Sequence, residues 1–222
     1  MFDDPTSHIP MKGARMRFKL FFAPLLTAAL VVFAGCNDST APADPATRAP
    51  TDLHLLSVPP GYPSLARTQV SFYAVKGRTT SAQIWYHAAA GAADSLKFLD
   101  FQVGPASLDT RPDGSAIASG DSVLITITVT DPTHFLLDFQ PSGLKFAATD
   151  QPTLKVSFAA CGADLNYDGK VDAADQAIMD SLSFWRQEAP FQPWFKLGSS
   201  VNQTVREVDA QLGGFTGYAI EF

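Results

Sequence analysis

The sequence is poor in the residues that build catalytic, redox and nucleic-acid-binding sites. Only two cysteines and four histidines occur among its 222 residues, and the histidines are too widely spaced to suggest a zinc site or a catalytic triad. No Gly-rich phosphate loop follows a strand pattern, and no Gly-x-Ser-x-Gly nucleophile elbow is present. The net charge of −6 comes without a basic cluster, which argues against a nucleic-acid partner. These absences predict a protein that is not an enzyme.

Long apolar runs are equally scarce. The longest, residues 20–33, is shorter than the ~20 apolar residues that a membrane-spanning helix needs. It follows the basic residues Arg17 and Lys19, and this order of charge and apolar run is typical of a secretory signal. We therefore predict a signal peptide over residues 1–35, with the residues before Met16 as an upstream extension.

Ala34 and Gly35 precede Cys36, and small residues before a cysteine resemble the lipobox of bacterial lipoproteins. The resemblance implies cleavage before Cys36 and lipidation of that cysteine; an ordinary cleaved signal with an incidental cysteine is the alternative. The polar, proline-rich chain that follows is typical of a flexible tether, so we assign residues 36–56 to the lipidated cysteine and the tether. The expected location is the bacterial cell envelope, with the protein lipid-anchored and facing the periplasm or the exterior.

The rest of the chain, residues 57–222, alternates apolar and polar side chains in short runs. Clear examples are residues 70–75, 122–130 and 154–158. Alternation with period two, broken by turns rich in Gly, Pro and Asp, predicts β-strands that turn one face towards a core. The alternation changes phase at Phe98, which predicts a bulge or bend there. We expect one mainly β domain, an antiparallel β-sandwich.

One stretch, residues 164–175, has the pattern of a calcium-binding loop. Side-chain oxygens recur at loop positions one, three, five, nine and twelve, and Gly169 at position six allows a sharp turn. A hard cation takes about six to eight oxygens, so the pattern predicts one bound Ca²⁺. An Asx-rich surface turn that binds nothing is the alternative. The predicted ligands are the side chains of Asp164, Asn166, Asp168, Asp172 and Asp175 and the main-chain carbonyl of Lys170.

A helical period from Ala174 to Leu182 follows this loop. We therefore expect an inserted EF-hand-like loop and short helix over residues 164–182 of the sandwich. The last ligand is an aspartate instead of the glutamate of the usual EF-hand, and in this respect the loop resembles that of dockerins on secreted proteins. The resemblance implies calcium binding and, as one interpretation, assembly with a partner protein. Dockerins carry two such loops, whereas this sequence has one.

Two further segments, residues 140–146 and 152–158, resemble the core of a β-sandwich domain found in zonula occludens proteins, netrin receptors and bacterial relatives. The first contains Pro-Ser-Gly-Leu-Lys-Phe and the second Pro-Thr-Leu-Lys-Val. Residues 194–197 and 215–220 resemble the strands that end such bacterial modules. Because these are mainly packing residues, the resemblance implies a fold and not an activity.

Trp185 and Trp194 stand in an aromatic-rich stretch. They either complete the core, as large apolar side chains usually do, or form an exposed platform for a sugar or peptide. They are therefore our candidate ligand-binding residues. Cys161 has no intramolecular partner if Cys36 is lipidated, and we expect it to be a buried hydrophobe, with a reactive thiol as the alternative.

These features together predict a non-catalytic exported surface lipoprotein with a calcium-stabilised β-sandwich that serves as a binding or structural module. Calcium-dependent assembly and carbohydrate or envelope binding are the alternatives. The expected partners are the membrane, reached through the lipid anchor, and a protein or glycan at the cell surface.

Overall fold

The computed structural model of the chain describes residues 46–88 and 95–222. The predicted signal peptide, Cys36 and the tether up to residue 45 lie outside the described residues, and they stand as predictions. Within the described ranges, no helix is long and apolar enough to cross a membrane.

Short strands make up most of this structure, because turn residues interrupt the alternating runs at close intervals. The strands are β1 (Thr47–Arg48), β2 (Gln69–Val75), β3 (Thr80–Trp85), β4 (Lys97–Val103), β5 (Leu108–Thr110), β6 (Ser122–Asp131), β7 (Leu136–Gln140), β8 (Lys145–Phe146), β9 (Thr153–Ser157), β10 (Ser183–Gln187), β11 (Trp194–Lys196), β12 (Ser199–Asn202), β13 (Glu207–Gln211) and β14 (Gly217–Glu221). A short 3-10 helix (Ala159–Cys161) and one α-helix, α1 (Ala173–Ser181), lie between β9 and β10.

The strands pair in two large antiparallel sheets and one small one. The larger sheet has the order β1-β11-β10-β14-β7-β6-β2, and the five-stranded sheet has the order β12-β13-β9-β4-β3. The remaining strands, β5 and β8, pair with each other. Apolar side chains from both large sheets belong to one continuous core. The predicted antiparallel β-sandwich with an inserted loop and short helix is therefore confirmed.

Strand β6 shows how the alternation builds this core. Val123, Ile125 and Ile127 are buried, whereas Leu124 between them is 48% exposed on the other face. Period-two geometry sends successive side chains to opposite faces, so one strand supplies both a core face and an outer face.

The change of phase in β4 corresponds to a bulge. In the register with β3, Ile84 pairs with Leu99 and Trp85 pairs with Lys97, so Phe98 is the extra residue. Phe98 and Leu99 are consequently both buried. The bulge predicted at Phe98 is confirmed.

The first described residues cover part of the outer face of the seven-stranded sheet. β1 pairs with β11, and further along the chain Leu55 forms a bridge to β14. Leu53 and Leu55 pack against Trp185 and Trp194, which form a second apolar cluster separate from the main core. Part of the range assigned to the tether, residues 46–56, is therefore packed against the sandwich.

The connection from β9 to β10 carries the chain from the five-stranded to the seven-stranded sheet. It contains the Asx loop, residues 164–175, followed directly by the rest of α1. Leu165 near the start of the connection and Leu182 at its end are both buried in the main core. The core therefore anchors the connection at the start of the Asx loop, through Leu165, and again after α1, through Leu182.

Candidate metal centre

The Asx loop begins with overlapping turns closed by its own side chains. Asp164 Oδ2 accepts a hydrogen bond from the N–H of Gly169 at 2.8 Å. Asn166 Oδ1 accepts from the N–H of Asp168 at 3.0 Å, and Asp168 Oδ1 accepts from the N–H of Lys170 at 2.9 Å. Asn and Asp make such local bonds readily, so the first half of the loop is folded by its own sequence.

Two residues in this half have left-handed backbones, Tyr167 with φ 58° and Gly169 with φ 84°. Gly169 adopts this conformation without cost because it has no Cβ. Tyr167 does so at a cost, and the turns on either side hold it there. The alternation of left-handed residues coils the backbone tightly, as a loop that wraps one ion requires.

The second half of the Asx loop starts helix α1 with a capping box. Asp172 is the N-cap residue, and its side chain accepts the N–H of Ala174 at 2.8 Å. Asp175 in turn accepts the N–H of Asp172 at 2.9 Å. These bonds satisfy N–H groups that the first helical turn leaves open and place negative charge at the positive end of the helix.

Asp175 also joins the two ends of the Asx loop. Its side chain is buried, and Oδ1 accepts the N–H groups of Leu165 at 2.6 Å and Asn166 at 3.3 Å. The N–H of Asp172 contributes most, ahead of those of Leu165 and Asn166, to lowering the pKa of the Asp175 carboxyl, against the opposing effect of burial. An ionised carboxylate thus closes the loop.

Contacts with distant segments hold the Asx loop on the sandwich. The hydroxyl of Tyr167 donates a hydrogen bond to the carbonyl of Ser57 in the N-terminal segment. Just before the loop, the carbonyl of Gly162 accepts a hydrogen bond from the guanidinium of Arg206 in the β12–β13 turn. The loop is therefore coupled to two segments that lie far from it in sequence.

The donor set fits calcium by its chemistry. All the predicted ligand atoms are oxygens, which hard cations prefer, and no imidazole or thiolate is among them. In the part of the chain that the structure describes, no three His, Cys, Asp or Glu side chains are gathered closely enough to hold a metal ion. The carboxylates are instead arranged around the N–H groups of the loop itself.

The two tryptophans proposed as candidate ligand-binding residues are both buried. Trp185 is 1% exposed and Trp194 is 8% exposed. The Arg48 guanidinium lies 5.2 Å from the ring centroid of Trp185, and Lys196 Nζ lies 5.8 Å from it. This burial favours the packing interpretation, since neither ring is an open platform.

A groove of about 500 Å³ does lie beside Trp194 on the seven-stranded sheet. Its amide side chains are already paired within the protein. Gln187 Nε2 donates to the carbonyl of Gln192 at 2.7 Å, and Gln140 Nε2 donates to Asp138 at 3.0 Å. A sugar would have to compete with these bonds, so the groove does not favour glycan binding.

One contact had almost no signal in the sequence. Arg48 Nε lies 2.6 Å from a carboxylate oxygen of Glu221, which is fully buried in β14. The sequence hinted at a buried ion pair only by placing the acidic Glu221 directly after Ile220 in an alternating, core-facing strand pattern. This ion pair ties the start of the described chain to its last strand.

Cys161 is a free and buried cysteine in the main core. Burial raises the pKa of its thiol to about 12. The expectation of a buried hydrophobe is confirmed, and a thiol of this kind is a poor nucleophile near neutral pH.

Comparisons with protein-family models, with curated proteins and with solved structures find no match. The likeness to dockerin loops and to the sandwich domain of zonula occludens proteins therefore rests on this chain's own residues.

Proposed function

We propose that this protein is an exported, non-catalytic lipoprotein of the bacterial cell envelope. One Ca²⁺ in the Asx loop stabilises its β-sandwich, which serves as a binding or structural module. The observation that carries the calcium proposal is the closure of the Asx loop by Asp175, whose carboxylate accepts N–H groups from both halves of the loop. Helix capping accounts for the bond to Asp172, whereas the bonds to Leu165 and Asn166 reach back ten and nine residues and close the loop.

Charge explains what the ion would contribute. Asp164, Asp168 and Asp175 concentrate negative charge in a short loop, and like charges this close in sequence repel one another. Bound calcium supplies the positive charge that offsets this repulsion. The residues that would hold the ion are Asp164, Asn166, Asp168, Lys170 through its carbonyl, Asp172 and Asp175.

Calcium binding should stabilise the whole domain and not the loop alone. The connection that contains the Asx loop spans the two sheets, and Leu165 and Leu182 bury its ends in the core. A ligand that binds only the folded state adds about 2.7 kcal/mol at a hundred times its dissociation constant. We propose a structural role and not a sensor, because the chain contains one such loop and no second loop that could rearrange with it.

The membrane anchor is the second part of the proposal. The order of basic residues, apolar run, small residues and Cys36 supports lipidation at that cysteine. In the bacterium, radiolabelled fatty acid should enter the full chain and be lost in Cys36→Ser. Label retained in Cys36→Ser would contradict the assignment.

The calcium proposal is tested by calorimetric titration of the chain from residue 37 on. We expect one saturable site and a higher melting temperature in calcium than in EDTA. Asp168→Ala should abolish both effects. Asp113→Ala is the matched control, because Asp113 closes a similar turn on Ser115 outside the Asx loop, with Oδ1 accepting the N–H at 2.9 Å. No binding by the unsubstituted chain, or equal loss in both variants, would refute the assignment.

One observation favours calcium-dependent assembly as a second candidate. Val171 is 69% exposed and Tyr167 is 44% exposed, so the Asx loop presents apolar surface to solvent. If a partner protein docks there, Val171→Ser should lose capture from an envelope extract while its calcium titration stays unchanged. Capture that depends neither on Val171 nor on calcium would refute the assembly role, and the structural role would remain.

A further inference from the structure

The outer face of the five-stranded sheet carries polar side chains in register across its strands. The first row, at matching positions of β3, β4, β9 and β13, consists of Ser81, Gln102, Thr153 and Gln211. The second row continues onto β12 and consists of Gln83, Asp100, Lys155, Asp209 and Ser200. Because neighbouring strands lie about 4.8 Å apart, each row brings hydrogen-bonding groups close together across the sheet.

Two grooves lie on this face. One, of about 230 Å³, lies over β3, β4 and β9, and the other, of about 650 Å³, lies over β9, β13 and β12. Thr153 lines both, so the two grooves adjoin and cross the sheet from β3 to β12. Since the outer face of a sheet is usually polar, it is the grooves, and not polarity alone, that mark a candidate binding site.

The uncharged side chains of the first row are free to bind a ligand. Within residues 46–88 and 95–222, the side chains of Gln102, Thr153 and Gln211 form no hydrogen bond. Each amide offers two donors and an acceptor, and the hydroxyl offers a donor and two acceptors. In the groove beside Trp194, by contrast, the amides are already paired within the protein. A ligand on the five-stranded sheet therefore gains hydrogen bonds without breaking any.

The charged side chains that line the grooves are neutralised. Lys97 Nζ lies 2.8 Å from Asp100 Oδ2, which also accepts a hydrogen bond from Gln83 Nε2 at 3.0 Å. Lys155 Nζ lies 3.3 Å from Asp209 Oδ2. Two lysines and two aspartates leave no net charge for an ionic ligand to offset. The grooves therefore favour a ligand that is polar but uncharged.

Trp85 lies at the edge of the same face. It follows Ser81 and Gln83 on the outward side of β3 and is opposite Lys97. Trp85 is 38% exposed, whereas the other two tryptophans of the chain are buried. An exposed indole offers a flat apolar surface, and the C–H face of a sugar ring packs well on such a surface while the sugar hydroxyls bond to amides nearby.

We propose that this sheet face binds a neutral oligosaccharide, with one sugar ring packed on Trp85 and hydroxyls bonded to Gln102, Thr153 and Gln211. Trp85 and Gln211 are separated by three strand spacings and by four residues along the strand direction, a diagonal of roughly 20 Å. A single sugar cannot span that distance, so the ligand is a chain of several sugars. The site rests on the proposed role as a binding module and gives that module its ligand class. Neither calcium nor the lipid anchor takes part in it.

The test uses the full chain in a detergent that has no sugar headgroup. The probes are neutral pentasaccharides of glucose, xylose, mannose and N-acetylglucosamine, with pentagalacturonate as the charged comparison. Trp85 is the exposed tryptophan, so acrylamide quenching of tryptophan fluorescence reports on it directly. We expect at least one neutral pentasaccharide to protect Trp85 from acrylamide, in calcium and in EDTA alike, and pentagalacturonate to give no protection.

Calorimetry of variants locates the site. Gln102→Ala should weaken binding about fivefold, the effect of one lost hydrogen bond, and Trp85→Ala should abolish it. Gln69→Ala and Tyr73→Ala are the matched controls, because both residues are exposed on β2 in the other sheet. Both should leave the affinity unchanged.

Four results would overturn the site: no binding of any neutral pentasaccharide, which would leave the face to a protein partner; equal binding of pentagalacturonate; protection of Trp85 that Gln102→Ala does not weaken; or equal losses in the control variants. Calcium titration of the same samples keeps the two proposals apart. A chain that binds calcium and no sugar refutes this site alone, and a chain that binds sugar and no calcium refutes the calcium site alone.

Discussion

Phe191 lies in the turn between β10 and β11 and has a left-handed backbone, a conformation that glycine adopts without strain. Replacing Phe191 by glycine tests whether the stability of the fold depends on the aromatic ring. We expect Phe191→Gly to stabilise the folded domain, although it removes a large apolar side chain. The ring is 88% exposed and the backbone φ is 67°. The substitution therefore relieves backbone strain without losing buried surface.

The size of the effect follows from two opposing contributions. A left-handed backbone costs a residue with a Cβ roughly 1–2 kcal/mol. Glycine loses more conformational freedom on folding, which returns roughly 0.5–1 kcal/mol of that gain. We expect a net increase in the free energy of unfolding of about 1 kcal/mol, which for a domain of this size raises the melting temperature by about 2–4 °C.

Urea unfolding and scanning calorimetry of the chain from residue 37 on would measure this change, both in calcium and in EDTA. Phe191→Ala is the matched control, because it removes the ring but keeps the Cβ and its strain. We expect it to change stability by less than about 0.5 kcal/mol. A fall in melting temperature for Phe191→Gly would refute the reasoning, because it would mean that the ring packs against the protein.

Two other predictions concern residues inside the sandwich. Burial raises the pKa of Cys161 to about 12, so only roughly 10⁻⁴ of the thiol in the folded protein is ionised at pH 8. A disulfide reagent should therefore modify Cys161 at least about a thousandfold more slowly in the folded protein than in protein unfolded by urea. The same raised pKa means that the folded protein loses stability as the pH rises from about 8.5, the pKa of the unfolded thiol, towards the pKa of the folded one. Melting temperatures measured at increasing pH would show this loss. Similar reaction rates in folded and unfolded protein would contradict the burial of the thiol. Arg48→Met should lower the free energy of unfolding by roughly 3 kcal/mol, near the low end for breaking a buried pair, because it leaves Glu221 without its guanidinium. Adding Glu221→Gln should restore part of this loss in urea unfolding, and a loss below about 1 kcal/mol for Arg48→Met would show that the pair contributes little.

Features that depend on residues close together in the chain could be predicted from the sequence alone. The alternation in β6 and the phase change at Phe98 predicted strands and a bulge, because side-chain direction in a strand follows directly from residue order. The turns of the Asx loop could also be anticipated, since Asn166 bonds the N–H only two residues ahead and Asp164 the N–H five ahead. Calcium binding by these oxygens stays a prediction that the titration tests.

The contacts between distant segments could be read only from the folded structure. Trp185 and Trp194 could have been core or platform, and residues near the start of the described chain decided the matter by covering them. Phe191 has the same apolar character, yet its turn projects it into solvent. Local alternation sets which face of a strand is apolar, but the order and register of the sheets determine what covers that face, and those depend on contacts between residues far apart in sequence.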